Sequence, residues 1–377
     1  MAVRYHFGQF PPNDLDWRSI ANPMDAAGRA LARYDSFLDI IPDSDILIAP
    51  MLTKEAVSSS RIEGTRASVS DVLMFEAGGD DINPSMRNDV YEVLNYKMAI
   101  QKAESMLDRL PVSGRMLKEA HSILLEGVRG QNKSPGKYRC ESNWIGPSDN
   151  FDEAMYIPPG PNDVEDLMSV WERFANSTDI PPLVKTALAH VEFESIHPFL
   201  DGNGRIGRML IPLMLYSDQV ISHPCFYLSE FFERSNFDYR KKLRAVSSDG
   251  AWTEWCIYFL NAVKTQAEEN QAKAKHIFEL YERTRSELLK KSGSSHTDPA
   301  VRCLFYQPIF PSNIFTTIGG LSDSTARRFV KLLKELKMIG EMHPHRGSRP
   351  AILVFPELLA ITDGVDISSI VFGGQSE

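Results

Sequence analysis

The chain has 377 residues, 43% of them apolar and 24% charged, with a formal net charge of −9. That length exceeds one ordinary core, so two or three domains are expected, and the composition excludes a disordered or low-complexity chain. The acidic balance excludes adhesion to nucleic acid or anionic lipid over the whole surface and leaves only local basic patches for such contacts.

The opening stretch MAVRYHFGQFPP lacks the apolar centre of a secretory leader, and no run long enough to cross a bilayer occurs, so a cytoplasmic protein with no membrane partner is expected. Cys140, Cys225, Cys256 and Cys303 stand far apart without a C-x-x-C pair. They read as reduced, mostly buried thiols rather than a zinc ribbon or a disulfide framework.

From about Pro23 to Leu289 apolar residues recur at spacings of three and four, which predicts a mainly α chain. Within KEAVSSSRIEGT, Ser59 and Glu63 fall on one face of a helix and Gly64 supplies its C-cap. The segment PGKYRCESNWIGPSDNFDEAMYIPPGP alternates apolar and polar residues around a Gly-Pro-Ser-Asp-Asn turn cluster and reads as a β-hairpin leaning on the helical core.

PPLVKTALAHVEFESI reads as a helix that delivers His197 at its C-terminal end, and HPFLDGNGRIGRML follows it. There Gly202, Asn203 and Gly204 break the helix, and Arg205 starts another whose apolar residues are Ile206, Met209, Leu210 and Leu213. A tight turn into a helix aims main-chain N–H groups outward at the positive end of the dipole, which is an anion site suited to a phosphate chain. Arg205 and Arg208, three apart, share a face and add charge-assisted donors for further phosphate oxygens. Asp201 suits a hard cation such as Mg2+, and His197 suits a base that takes a proton from a hydroxyl. The pattern therefore predicts a nucleotidyl or phosphoryl transfer site. A rival reading places zinc on His190, Glu194 and His197, which share a helical face, but it leaves the glycines and both arginines without a role. Met214 and Tyr216 are candidates for a base pocket and equally for the core.

KKSGSSHTDP reads as a linker after a long charged helix that starts near Trp252. Beyond it, Ser322 reads as an N-cap, with Ala326, Phe329, Val330, Leu333 and Leu336 as the apolar stripe of a helix. A short helix precedes that one and two alternating segments around His345 to Arg349 follow, giving a winged helix-turn-helix. Arg327, Lys331 and Lys334 line the opposite face. They suit either a protein partner, the favoured reading, or duplex DNA. The end of the chain, ISSIVFGGQSE, reads as a frayed tail.

HPFLDGNGRIGR resembles the signature of the Fic family: histidine, any residue, phenylalanine, any residue, acid, Gly-Asn-Gly-Arg, two residues, arginine. PGKYRCESNWIG upstream, the segment from Phe226 to Val263 downstream, and the C-terminal unit resemble bacterial Fic proteins with an appended winged helix. The resemblance implies a protein AMP transferase that moves AMP from ATP to a Ser, Thr or Tyr hydroxyl with release of pyrophosphate. His197 is then the base, Asp201 the Mg2+ ligand, Gly202, Asn203 and Gly204 the phosphate cradle, and Arg205 with Arg208 the holder of the distal phosphates. Ser59, Glu63 and Gly64 match the family's inhibitory motif, in which Glu63 would occupy Arg208 and exclude the γ-phosphate.

The hairpin 137–157 resembles the family's flap, where a target protein docks by strand addition. The implied organisation is an N-terminal helical region with the inhibitory helix (1–105), a Fic core with flap and following helices (106–290), a linker (291–298), a winged helix-turn-helix (299–362) and a tail (363–377). Self-modification and a homodimer accord with the resemblance. Two alternatives stay open: an enzyme that removes AMP from protein, and a DNA-binding regulator whose Fic site senses nucleotide.

Overall fold

The structure is a computed structural model, and it describes residues 2–40, 45–79, 84–148, 150–347, 349–365, 367 and 371. Of the expected tail, residues 366, 368–370 and 372–377 lie outside the described residues. In chain order the elements are β1 (Val3–Arg4), α1 (Trp17–Ile40), α2 (Asp45–Ile62), α3 (Val69–Glu76), α4 (Pro84–Leu107), α5 (Gly114–Leu124), β2 (Tyr156–Ile157), α6 (Val164–Ala175), α7 (Pro182–Ile196), α8 (Asn203–Ser217), α9 (Ser229–Arg234), α10 (Asn236–Asp249) and α11 (Trp252–Ser292). There follow α12 (Thr297–Tyr306), β3 (Ile309–Pro311), α13 (Ile314–Thr317), α14 (Asp323–Glu335), β4 (Gly340–His343), β5 (Ile352–Val354) and α15 (Pro356–Asp363). The mainly α class expected from the periodicity is what the chain adopts. Among the described residues no helix is long and apolar enough to cross a membrane.

Two compact units divide the chain: Met1–Ser36, Ser58–Thr65 and Tyr91–Glu268 form one, and Phe37–Val57, Arg66–Val90 and Glu269–Glu377 the other. At the centre of the first, α7 packs against α8, with α6 and α10 on α7 and α5 on α6 and α8. Every residue of α7 from Leu183 to Phe193 is buried, so this helix is enclosed on all sides rather than amphipathic. Its polar side chains must then find partners inside: Lys185 Nζ donates to the Ser177 carbonyl and to Asp218 Oδ1, each at 2.8 Å. Trp171 and Trp255, both fully buried, send indole N–H groups to the Ala189 and Ala187 carbonyls of α7 at 2.8 and 2.7 Å.

Among the described residues, the hairpin expected at 137–157 is reduced to one antiparallel bridge, Ile145 against Tyr156, with a 3-10 turn at Phe151–Glu153. Pro147, Pro158 and Pro159 withhold the N–H donors that a longer ladder needs. The far side of β2 instead receives β1 in parallel, a strand that the alternation pattern did not reveal.

In the second unit, α3 opens with a capping box in which Ser68 and Asp71 exchange hydrogen bonds. Its C-terminal part holds a three-stranded antiparallel sheet of order β3-β5-β4, with α3 against β3, and α13 packs against both α12 and α14. Strand β3 was not expected from the sequence; it is three residues long, too short for alternation to show. Ser322 caps α14 by accepting from the Thr325 N–H, and Ala326, Phe329 and Leu333 are its buried stripe. Residues 293–296 join α11 to α12. Cys225, Cys256 and Cys303 are buried, Cys140 is exposed, and all four are free thiols.

Replacing Trp255 with alanine removes a fully buried indole and its bond to Ala187, so a loss of about 3–5 kcal/mol of stability is expected, read from the denaturant midpoint.

Candidate active site

The α7–α8 turn is closed by its own polar groups. His197 ends α7 in the left-handed region (φ 51°), donating its N–H to the Phe193 carbonyl at 3.0 Å, and Gly202 (φ 80°) precedes α8. Buried Asn203 spends both ends of its carboxamide on Phe199: Nδ2 donates to the carbonyl and Oδ1 accepts the N–H, each at 2.8 Å. Its side chain thus shapes the loop, and what the loop offers a ligand is main chain. The first helical bond of α8 runs from Ile206 N–H to the Gly202 carbonyl, so the N–H groups of Asn203, Gly204 and Arg205 come before any intrahelical acceptor. A Cβ on Gly204 would lie 2.2 Å from Glu63 Oε1 and 2.9 Å from Arg208 Nη1, so a side chain there would displace the carboxylate that covers the helix start.

That carboxylate is delivered by the end of α2. Gly64 N–H donates to the Arg61 carbonyl and Thr65 N–H to the Ser60 carbonyl, a Schellman pattern with Gly64 left-handed at φ 95°. Two arginines hold this terminus from outside: Arg240 Nη2 donates to the Ile62 carbonyl at 2.8 Å and Arg129 Nη2 to the Glu63 carbonyl at 3.2 Å. Arg208 is buried and gripped three ways, by Ser59 Oγ at 2.9 Å, the Ser59 carbonyl at 2.9 Å and Glu63 Oε1 at 2.7 Å. Burial would raise the Glu63 carboxyl, but the charge and hydrogen bond of Arg208, with Arg205 and Arg240 beyond, hold it below the usual carboxylate value.

Beside this pair is a cavity of about 370 Å³ whose lining includes Gly204, Arg208 and His197 together with the apolar Ile145, Met155 and Phe237. His197 Nδ1–H donates to the Glu194 carbonyl at 3.3 Å, which leaves Nε2 with a free lone pair. Burial pushes this imidazole down to about 4, so it is neutral at physiological pH. Glu194 also lines the cavity; burial raises its carboxyl to about 7, and Oε1 has no hydrogen-bond partner among the described residues.

Gly202, Asn203, Asp201 and Arg205 are not among the groups lining the cavity. Arg205 is fully buried, 3.7 Å from Glu92 and 3.5 Å from Asp201, so it and Arg208 point at different partners although the i, i+3 spacing put them on one face. Asp201 is one-third exposed and takes the N–H of Gly202 on Oδ1 at 2.6 Å. A Cβ on Gly130 would come within 2.8 Å of its Oδ2, so a glycine there keeps that oxygen clear. A single hard carboxylate beside unpaired helix N–H groups is a donor set that suits Mg2+ only where a ligand and water supply the other oxygens. Met214 belongs to the core, and neither it nor Tyr216 lines the cavity.

His190 has no nitrogen left for zinc: Nδ1–H donates to the Gly207 carbonyl at 2.9 Å and Nε2 accepts from the Tyr239 hydroxyl at 2.8 Å. Sequence reasoning missed two residues that hold the loop. His121 accepts the Gly136 N–H on Nδ1 and donates Nε2–H to the Asp201 carbonyl at 2.8 Å, lying flat on Phe199 at 3.8 Å. Arg139, buried, donates to the carbonyls of His197 (2.9 Å), Pro159 (2.6 Å), Glu141 (3.1 Å) and Ile196 (3.3 Å), neutralising the C-terminus of α7. No spacing rule marks either, because their partners are backbone carbonyls and amides, most of them distant in sequence.

Residues 111–215 match the family model described as Fic/DOC family, and residues 21–105 the one described as Fic/DOC family N-terminal. The protein adenylyltransferases Fic of Drosophila sechellia and Drosophila melanogaster are each 31% identical over 128 residues, 33% of this chain and 24% of theirs. The matched part is thus about a quarter of the length of those relatives. Among solved structures, a Fic family protein from Desulfovibrio desulfuricans superposes with a TM-score of 0.57 at 19% identity, covering 92% of this chain and 98% of that one. A Fic domain containing signaling protein from Bacteroides thetaiotaomicron gives 0.55 at 16% identity, covering 66% and 97%. These last two likenesses bear on fold alone. With the signature loop, the helical core around α7 and α8 and the matched regions agreeing, the chain is a Fic-domain family protein related to known Fic/DOC adenylyltransferases.

Proposed function

We propose that this protein transfers AMP from ATP to a Ser, Thr or Tyr hydroxyl of a protein, itself included, and is held inactive by Glu63. The observation that carries this reading is the Glu63 carboxylate seated over Gly204 and bonded to Arg208 at 2.7 Å, where a phosphate would otherwise bind. In the proposed reaction the α8 amides and Arg208 hold the phosphates, His197 Nε2 takes the hydroxyl proton as that oxygen attacks the α-phosphorus, and pyrophosphate leaves. Asp201 would hold Mg2+, which neutralises phosphate charge when bound. Arg205, paired with Glu92 and Asp201, serves this site by fixing Asp201 unless it turns toward the distal phosphates on binding.

The flap is read as the dock of the target protein, and α12 to β5 as a winged helix-turn-helix that contacts a protein partner. The alternatives are an enzyme that removes AMP and a DNA-binding regulator that only senses nucleotide; covalent AMP on protein separates the regulator from the transferase.

Two outcomes are expected. Glu63→Gly frees the fork of Arg208, and a penalty of about 3 kcal/mol on productive ATP placement corresponds to roughly a hundredfold gain in labelled AMP on protein. Adding His197→Ala is expected to abolish that label, and equal labelling of Glu63→Gly and wild type would remove the brake. The second outcome concerns pH. With the imidazole of His197 pushed down to about 4, the neutral base persists above that value and is lost only as pH falls through it. In Glu63→Gly carrying Glu194→Gln, which removes the cavity carboxyl raised to about 7, kcat/KM for ATP is therefore expected to stay level from about pH 8 to about pH 5.5, where a base with an ordinary imidazole pKa of about 6.5 would lose roughly tenfold.

A further inference from the structure

Strand β1 runs parallel to β2, Val3 against Tyr156 and Arg4 against Ile157. The Val3 N–H donates to the Met155 carbonyl at 3.0 Å and the Tyr5 N–H to the Ile157 carbonyl at 3.1 Å. Two residues of ladder are too few to hold a strand in water, so its side chains must secure it.

Tyr5 and His6, both buried, converge on Glu192 of α7, itself 1% exposed. The Tyr5 hydroxyl donates to Glu192 Oε1 at 2.6 Å, and His6 Nε2 lies 2.8 Å from Oε2. On the other side of the ring, His6 Nδ1 lies 2.7 Å from Ser247 Oγ of α10, which is 3.5 Å from the Tyr156 hydroxyl. Tyr156 in turn donates to the Ser195 carbonyl at 3.0 Å. This polar chain leaves α7 at Glu192, passes through the N-terminal strand, α10 and the flap strand, and returns to α7 at Ser195, two residues before His197. Edge contact of His6 with Trp252 at 4.9 Å, and of Phe10 with Phe174 at 4.8 Å, seats the segment in the core.

A carboxylate so buried persists only when both oxygens are paired, and residues 5 and 6 occupy both. The segment lies outside the two matched family regions, which begin at residue 21.

We infer that Tyr5 and His6 anchor the flap: they tie its strand to α7 through Glu192 and so fix the cavity wall of Ile145, Met155 and Tyr156 relative to His197. This inference rests on the proposed AMP transfer, and it makes Tyr5, His6, Glu192 and Ser247 positioning residues, none of them lining the cavity.

The test uses the full chain carrying Glu63→Gly, with Mg-ATP as the probe. Adding Tyr5→Phe with His6→Leu is expected to speed hydrogen exchange at the amides of Ile145, Met155 and Tyr156 by roughly tenfold or more while α8 stays protected. Labelled AMP on protein is expected to fall by roughly tenfold or more at saturating ATP. Glu192→Gln, whose amide still accepts from Tyr5 and can donate to His6, should keep most of both properties. Unchanged flap exchange overturns the inference, and so does faster exchange with undiminished transfer. If the double variant does not fold, Tyr5→Phe alone is read in the same way with a smaller shift. If the Glu63→Gly parent transfers no AMP, the AMP-transfer reading fails and flap exchange alone decides whether the anchor exists.

Discussion

The contact between Glu63 and Arg208 over the start of α8 is the constraint on which the rest of the site is arranged. A helix N-terminus with orphan N–H groups attracts an anion, and a buried arginine beside it adds to that attraction. Here the chain meets the demand with its own carboxylate, at 2.7 Å from Nη2. Ser59 holds Arg208 at Nε so that the fork faces Glu63, and Arg240 and Arg129 hold the carbonyls that end α2. The carboxylate is one-third exposed whereas the arginine is almost wholly buried, so the acid is the partner with room to leave.

Precision in the α7–α8 turn comes from polar groups that have little freedom to do anything else. Asn203 is consumed by Phe199, His121 by Gly136 and Asp201, and Arg139 by four carbonyls around the end of α7. Each is buried, where an unmade hydrogen bond costs about 1–3 kcal/mol, so the loop has one satisfied arrangement and few near it. The same pressure acts along α7. Because that helix is enclosed, His190 and Glu192 must be paired, and their pairing ties α8, α10 and the N-terminal strand to the helix that presents His197.

Much of this was legible in the residues. The glycines, the histidine and the arginines of HPFLDGNGRIGRML are close in sequence, and a tight turn brings near neighbours together whatever the rest of the fold does. Helix α14 announces itself by its apolar stripe and its Ser322 cap, and the Ser59, Glu63 and Gly64 spacing marks one helix face and its end. The flap was legible only as a turn between extended segments, since its prolines cut the ladder to one bridge. Short strands such as β1 and β3 hold too few residues to display a period.

What the sequence by itself determined, then, is the local chemistry: which loop can cradle an anion, which histidine stands beside it and which glutamate ends a helix. The pairing of Glu63 with Arg208 across 145 positions was implied by family resemblance and by no spacing in the chain, and tertiary structure alone decided that Arg205 turns to Glu92 and that His6 and Tyr5 close on Glu192. The reason is physical. Periodicity and capping act within a turn or two of chain, whereas the pairing of buried charges is chosen among all groups that packing brings within a few ångströms.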